Sequence, residues 1–141
     1  MKIEVCMPGK ISEKPYQKLI DQYLERCNGR LSVDLICCKN QDELVKRAGS
    51  KECVVLLDEY AQFKGTDEFT KWLEKKIHSG VNNVTFCLGA AEGHDPRMRL
   101  IGKESISLSP LTMNHQLALL VLAEQLYRAI SIMYNEPYHK A

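Results

Sequence analysis

An acid and a base lie one helical turn apart near the C-terminus, in the run AEQLYRA. Glu124 precedes Arg128 by four residues, the spacing and orientation that favour an ion pair on a helix. A structural ion pair is therefore one interpretation. The neighbouring residues are apolar, and burying charge is unfavourable unless it is paired. A functional site is thus an equally good interpretation of the same two residues.

The last residues of the sequence combine three kinds of chemistry. The tetrapeptide PYHK contains an aromatic ring at Tyr138, an imidazole at His139 and a cation at Lys140. An aromatic ring stacks on nucleobases, a cation contacts phosphate, and histidine titrates near neutral pH. Chain ends are commonly frayed, so composition alone favours a disordered tail over a nucleic-acid contact.

Two loops after apolar runs are suited to backbone contacts with a ligand. VTFCLGAAEG places Gly89 after a strand-like run, and ligands of open α/β sheets bind beyond the carboxyl ends of strands. A glycine there allows close approach to the main chain. The pattern is neither GxGxxG nor a Walker A loop, so a structural turn is favoured and a phosphate site has little support.

The second loop is LSPLTMNH, from Leu108 to His115. Its main-chain amides and carbonyls, beside apolar side chains, could hold a flat heterocycle. By composition this is no more favoured than an ordinary connection. Thr112 or Asn114 is expected to cap the helix that follows.

Short β-like runs alternate with longer helical ones to position these residues. Runs rich in β-branched residues and bounded by Gly, Asn, Asp or Pro predict five strands, over Lys2–Met7, Leu31–Cys37, Cys53–Asp58, Val84–Gly89 and Ser105–Ser109. Helices are predicted over Tyr16–Cys27, Gln41–Ala48, Asp67–His78, about Asp95–Leu100 and Asn114 to about Tyr134. The alternation predicts one α/β domain over residues 1–141, with a mainly parallel sheet flanked by helices.

Two helices carry more specific signals. Thr66 is expected to be the N-cap of the third helix, because acidic residues follow it and basic residues end the helix. In the final helix every residue from Leu117 to Ala123 is apolar, which is typical of a buried helix. In a small domain, burial on two sides is easiest at a subunit interface. We therefore predict a homodimer with this helix at its centre.

Composition limits the possible partners and locations. The chain has 19 basic and 18 acidic residues and a net charge of +1, so it has no global field to attract a polyanion. No stretch is expected to be long and apolar enough to span a bilayer, and the start MKIEVCMPGK lacks signal-peptide features. These observations favour a cytoplasmic protein that does not bind membranes.

The cysteines are interpreted as core residues. Five of the six lie in β-like apolar runs and none forms a CxxC pair; they are Cys6, Cys37, Cys38, Cys53 and Cys87. In a reducing compartment such cysteines are small buried hydrophobes. A metal site or redox role is therefore not expected.

Taken together, FCLGAAEG and LSPLTMNHQLALLVLAEQLYRAISIMYNEPYH resemble the SPOUT-class 23S rRNA (pseudouridine-N3)-methyltransferases, the ribosomal large subunit methyltransferase H family. EQLYRA and PYH are the most specific matches, and KIEVCMPGK is similar to the family's first strand and loop. The resemblance implies a homodimeric α/β knot with a C-terminal trefoil knot. It also implies that S-adenosylmethionine is the cofactor and that the substrate is N3 of a pseudouridine in helix 69 of 23S rRNA, within the assembled ribosome.

The resemblance also implies site residues. The matching cofactor positions are Leu57, Gly89, Ala90, Leu108, Ser109, Pro110, Leu111, Thr112, Met113 and Asn114. The matching catalytic positions are Glu124, Arg128, Tyr138 and His139. By this resemblance Arg128 orients the uracil ring or a phosphate, His139 or Glu124 removes the N3 proton, and Tyr138 packs over cofactor or base.

Several residues depart from the family pattern. Ala90 replaces the second glycine of the loop, Asn114 a proline, Leu119 an arginine and Lys140 an arginine, and the segment Cys37–Gly49 is short. Two alternatives stay open on these grounds. One is a knotted ribosome-binding protein with weak or lost activity; the other, less favoured, is a flavodoxin-like nucleotide-binding regulator.

Overall fold

Five strands form one parallel sheet in the order β2-β1-β4-β3-β5. The computed structural model describes residues 1–90 and 92–140. Its strands are β1 (Lys2–Pro8), β2 (Ser32–Cys38), β3 (Val54–Leu57), β4 (Asn83–Cys87) and β5 (Glu104–Ile106). The prediction of a parallel sheet is confirmed, and each predicted strand end lies within three residues of the observed one.

Five helices cover both faces of the sheet. They are α1 (Lys14–Cys27), α2 (Gln41–Gly49), α3 (Thr66–His78), α4 (Pro96–Ile101) and α5 (His115–Met133). Buried side chains of α1, α3 and α5 share one apolar core, and those of α2 and α4 share a second. The predicted α/β alternation is therefore confirmed, with three helices on one face and two on the other.

The interior strand β1, between β2 and β4, is buried on both faces, as parallel strands usually are. Ile3, Val5 and Met7 point into the larger core, whereas Glu4 and Cys6 point towards the other face. The Glu4 carboxylate, 3% exposed, accepts hydrogen bonds from Arg47 Nη2 at 2.9 Å and Lys51 Nζ at 3.2 Å.

Both cations of this buried cluster keep Glu4 ionised. Burial alone would raise the pKa of Glu4, but the hydrogen bonds from Arg47 and Lys51 outweigh it and lower that pKa. The hydrogen bond between Arg47 and Glu4 in turn raises the pKa of Arg47. Removing one partner from such a buried network is unfavourable because the other charge stays desolvated.

The two capping predictions have different outcomes. Asn114 is the N-cap of α5, and its side chain accepts a hydrogen bond from the Leu117 amide at 2.9 Å. The prediction for Thr66 is wrong, because Gly65 is the N-cap of α3 and Thr66 is the first helical residue. The Thr66 hydroxyl instead donates to Gln125 Oε1 on α5 at 2.9 Å. It therefore ties two helices together rather than closing the end of one.

The cysteines are all free, and four of them are buried: Cys6, Cys27, Cys38 and Cys87. The prediction of core cysteines is wrong for Cys37, which is exposed, and Cys53 is half-buried. Cys37 lies on the edge strand β2, and Cys53 directly precedes β3. Within residues 1–90 and 92–140 no group of three or more potential ligands is placed to hold a metal ion.

The helix α5 is apolar around most of its circumference. By length and composition alone it could cross a membrane, so the expectation that no stretch reaches that length is wrong. A core helix passes the same test, and α5 packs against α1 and α3 with Leu119, Leu122 and Leu126 fully buried. Leu117 and Val121, on its other side, are only half-buried within the protomer.

Candidate active site

A pocket of about 620 Å³ opens at the carboxyl ends of β3, β4 and β5. The loop after each of these strands supplies one wall, and the first turn of α5 supplies the fourth. This is the edge at which open α/β sheets bind ligands. The volume lies within the range of roughly 300–1,000 Å³ typical of small-molecule sites.

Nine of the ten cofactor positions implied by the resemblance line this pocket. They are Leu57, Gly89, Ala90, Leu108, Ser109, Leu111, Thr112, Met113 and Asn114. Pro110 belongs to the same loop but does not line the pocket. Three segments distant in sequence are thus brought together at one place.

The loop after β4 folds back on itself. The Ala90 amide donates to the Gly93 carbonyl at 3.2 Å, and the Gly93 amide donates to the Ala90 carbonyl at 2.9 Å. Gly93 has a φ of +100°, which favours glycine. A Cβ on Gly89 would lie only 2.8 Å from the Gly93 carbonyl carbon. Gly89 is therefore required by close backbone packing.

The loop after β5 is held by serine side chains. The Ser107 hydroxyl donates to the Ser109 carbonyl at 2.8 Å, and the Leu111 amide donates to the Ser109 hydroxyl at 3.0 Å. These bonds fix the main chain beside exposed Leu111 and half-buried Met113. The wall therefore combines apolar side chains with ordered backbone.

Among the charged pocket residues that sequence reasoning missed are Asp58 and Arg99, which pair with each other. Arg99 Nη1 donates to Asp58 Oδ2 at 2.8 Å, and the Tyr60 amide donates to Oδ1 at 3.0 Å. Burial alone would raise the pKa of Asp58, but these two donors outweigh it and lower that pKa. The ion pair joins the loop after β3 to α4 across one side of the pocket. A search for polar residues directly after strands would have found Asp58.

Another missed residue is His94, which follows Gly93. Its Nε2 atom lies 2.7 Å from the Leu57 carbonyl oxygen, and its Nδ1 atom is buried without a hydrogen-bond partner among the described residues. Burial, the largest effect, lowers the pKa of His94. The imidazole is therefore neutral near pH 7. Its position between two strand-end loops could be found from sequence only by knowing that those loops meet.

These features fit an adenosine-containing cofactor. The apolar side chains of Leu57, Leu108 and Met113 suit a heterocycle. Main-chain groups of the ordered loops can form hydrogen bonds, and the unpaired Nδ1 of His94 offers one further acceptor. A site of this kind is mainly apolar with a few fixed polar groups.

The four implied catalytic residues form a second cluster, which we call the tail cluster (Glu124, Arg128, Tyr138 and His139). Arg128 Nε donates to Glu124 Oε1 at 2.6 Å, and Arg128 Nη1 donates to His139 Nδ1 at 3.0 Å. The guanidinium carbon lies 4.8 Å from the Tyr138 ring centroid, a cation–π distance. Tyr138 and His139 are therefore folded back onto α5 rather than frayed.

Aromatic packing holds the tail cluster against α1. The Tyr138 hydroxyl donates to the Tyr23 hydroxyl at 3.3 Å, and the Tyr138 ring meets that of Tyr127 edge-on at a centroid distance of 4.7 Å. Burial and the hydrogen bond with Tyr23 raise the pKa of Tyr138 to about 12. Its hydroxyl is therefore protonated at neutral pH. Exposed Arg26 lies over both Tyr23 and Tyr127.

The pocket and the tail cluster are separate within one protomer. The last α5 residue that lines the pocket is Ala118, ten residues before Arg128. At 1.5 Å per residue this is about 15 Å along the helix. One protomer therefore does not by itself place the Arg128 side chain in the pocket.

Comparison with known proteins gives consistent results. A family model described as "Predicted SPOUT methyltransferase" matches residues 1–139. The chain is 36% identical to a ribosomal RNA large subunit methyltransferase H from Syntrophomonas wolfei, covering 99% of this chain and 100% of the relative. It is also 36% identical to a putative RNA methyltransferase from Arabidopsis thaliana, covering 92% of this chain and 68% of that protein.

Two solved structures share the fold at low sequence identity. A probable methylase family protein from Haemophilus influenzae superposes with a TM-score of 0.58 at 10% identity, covering 94% of this chain and 66% of that one. A putative methyltransferase from Legionella pneumophila, solved in complex with the bound cofactor SAM, superposes with a TM-score of 0.50 at 16% identity, covering 92% and 66%.

Proposed function

This chain belongs to the SPOUT methyltransferase family, and from that premise we propose that it is an S-adenosylmethionine-dependent rRNA methyltransferase. Its substrate is N3 of a pseudouridine in helix 69 of 23S rRNA, and it acts on the assembled ribosome in the cytoplasm. The observation that carries this proposal is the identity of 36% over the whole length of a ribosomal RNA large subunit methyltransferase H. The pocket at the strand ends supports it, because its size and lining suit the cofactor.

The proposed reaction depends mainly on positioning. The cofactor supplies a methyl group that is already electrophilic because it is bonded to a sulfonium. The loops around Gly89 and Leu108–Asn114 would hold the cofactor through main-chain groups and would fix its position relative to the acceptor nitrogen. Orientation of this kind accounts for much of a rate enhancement. The N3 proton must leave before or during attack, and this requires a base.

We assign these roles to the tail cluster. Arg128 orients the uracil ring or a flanking phosphate, and Tyr138 packs over the base or cofactor. His139 or Glu124 removes the proton. Arg128 already donates to both of these candidate bases, so the entering nucleotide must draw its guanidinium away from one of them. Arrival of the substrate and release of the base are thereby coupled.

We further propose a homodimer in which the tail cluster of one protomer completes the pocket of its partner. Support comes from the distance of about 15 Å along α5 between the pocket edge and Arg128, and from the half-buried outer side chains Leu117 and Val121. A C-terminal trefoil knot formed by the pocket loops and α5 is part of the same proposal. A dimer also doubles the cationic groups available to RNA, which compensates for a protomer net charge of +1.

The test is methyl transfer to defined ribosomes. Purified protein is incubated with labelled S-adenosylmethionine and assembled ribosomes that lack this methyl group, and the label is mapped by nuclease digestion and mass spectrometry. Free 23S rRNA is the control for the requirement for assembly. Label on N3 of the helix 69 pseudouridine is expected. Ribosomes that bind the protein but remain unlabelled would support a knotted ribosome-binding protein instead.

A further inference from the structure

The hydrogen bond to Leu57 defines the tautomer of His94. The Leu57 carbonyl can only accept, and it lies 2.7 Å from Nε2. Nε2 must therefore carry the proton. In a neutral imidazole the other nitrogen, Nδ1, then presents a lone pair and no hydrogen.

That lone pair has no partner within the described part of the protomer. Nδ1 is buried, and none of residues 1–90 and 92–140 donates to it. A buried acceptor without a donor is unfavourable and uncommon in folded proteins. His94 lines the pocket together with Leu57 and Gly89. A ligand that brings a donor into the pocket would therefore satisfy Nδ1.

The surroundings favour a neutral donor. Burial lowers the pKa of His94, so the ring is an uncharged acceptor near pH 7. The nearest charges, Asp58 and Arg99, are paired with each other at 2.8 Å. Glu59 and Glu92 also line the pocket, so a cationic group of a ligand has carboxylates to pair with, whereas an uncharged donor suits the neutral imidazole. An N–H or O–H of a nucleoside fits these conditions.

We propose that His94 Nδ1 accepts a hydrogen bond from the nucleoside part of the bound cofactor, either the adenine amine or a ribose hydroxyl. This inference rests on the proposed function, because it presumes an adenosine-containing cofactor in this pocket. His94 then has two contacts: Nε2 donates to Leu57 at the end of β3, and Nδ1 accepts a hydrogen bond from the cofactor. Nothing in the sequence patterns around strand ends had indicated this residue.

The test measures binding of S-adenosylhomocysteine by calorimetry, without turnover. In His94→Gln the terminal amide reaches the place of Nε2 and keeps a donor for Leu57 but removes the Nδ1 acceptor. In His94→Asn the amide oxygen takes the place of Nδ1. We expect H94Q to weaken binding about 3- to 10-fold, the effect of one neutral hydrogen bond, and H94N to bind more tightly than H94Q. Exposed His78, outside the pocket, provides the control H78Q, with unchanged affinity expected.

A second measurement needs no variant. The ¹⁵N resonance of His94 Nδ1 in the wild-type protein should move upfield on saturation with S-adenosylhomocysteine. The reason is that an imidazole nitrogen whose lone pair accepts a hydrogen bond is more shielded than one without a partner. Analogues distinguish the two donors: one lacks the adenine amine and the others lack a ribose hydroxyl. The analogue without the true donor should bind wild type and H94Q equally, as in a double-mutant cycle.

The outcomes separate the two proposals. If the wild-type protein does not bind S-adenosylhomocysteine, the proposed cofactor is wrong and the role of His94 fails with it. If the wild type binds but H94Q binds equally well, or the Nδ1 resonance does not respond, only the role of His94 is refuted. Should H94Q fail to fold, as judged by its thermal transition, the resonance of the wild-type protein decides.

Discussion

Replacing Gly89 by alanine should damage the pocket by a steric clash that can be calculated from the structure. The new Cβ would lie 2.8 Å from the Gly93 carbonyl carbon and 3.0 Å from both the Gly93 oxygen and the His94 amide nitrogen. Carbon atoms in favourable contact are about 3.5–4.0 Å apart. The loop would therefore have to retreat by roughly 0.7 Å or more, taking 3.5 Å as the limit.

The retreat would break the two hydrogen bonds between Ala90 and Gly93. At about 0.5–1.5 kcal/mol for each bond, the expected destabilisation of the closed loop is roughly 1–3 kcal/mol. If the cofactor requires the closed loop, its dissociation constant should rise about 5- to 150-fold. Calorimetric titration with S-adenosylhomocysteine and a thermal unfolding transition would measure the two effects separately.

Ala90→Gly is the matched control, one residue away in the same loop. Ala90 has no positive φ, unlike Gly93, so this position does not require glycine. The substitution removes one methyl group from the pocket lining and adds backbone freedom in the unfolded chain, a change in stability of about 0.4–1 kcal/mol. Affinity and thermal stability of G89A equal to those of the wild type would refute the argument from close packing.

Three further outcomes follow from the other clusters. The pKa of Glu4 in the folded protein lies below its ordinary value of 4.5, so the stability that Glu4 contributes is complete above pH 4.5 and is lost as the pH falls through the folded pKa. The difference in urea midpoint between wild type and E4Q should therefore shrink on acidification. A difference independent of pH would contradict this. Arg128→Ala should lower methyl transfer on the order of 100-fold through misplacement of the base. R128K should recover little, because one ammonium cannot replace the separate Nε and Nη1 donors that hold Glu124 and His139. Intact transfer by R128A would exclude the assigned role. Val121→Asp places a negative charge from each protomer in the proposed interface and should raise the dimer dissociation constant on the order of 100-fold or more in sedimentation experiments. Exposed Glu74→Arg should leave it unchanged. A dimeric V121D would rule out this interface.

The sheet and helices could be predicted because their signals are local. Apolar runs of β-branched residues marked every strand, and Pro, Gly and Asn marked most helix ends. The errors also have local causes. Thr66 lies at the right place for a cap, but the preceding Gly65 adopts the extended conformation and leaves the threonine free to bond Gln125. Cys37 follows the apolar pattern of β2, yet β2 is an edge strand and leaves it exposed.

The site was predictable only in part. Gly89 and the loop from Leu108 to Asn114 could be recognised, because they follow strands and match a known family. Asp58 could have been found as a polar residue directly after β3, whereas Arg99 and His94 could not, since their roles depend on loops from β3 and β4 and on α4 meeting in space. The grouping of Arg128 with His139 was implied by the resemblance, but its support by Tyr23 from α1 is a long-range contact that no sequence pattern indicates.

The position of α5 in the chain has a consequence for synthesis. All five strands precede α5. The emerging polypeptide can therefore assemble its whole sheet before α5 covers the apolar surface of α1 and α3 on which it packs. During that interval the apolar residues that later pack on Leu119, Leu122 and Leu126 face solvent, a condition that promotes association with other nascent chains. The fourth wall of the pocket and the tail cluster belong to or follow α5. Protection from aggregation and competence to bind the cofactor are therefore acquired in the same late event.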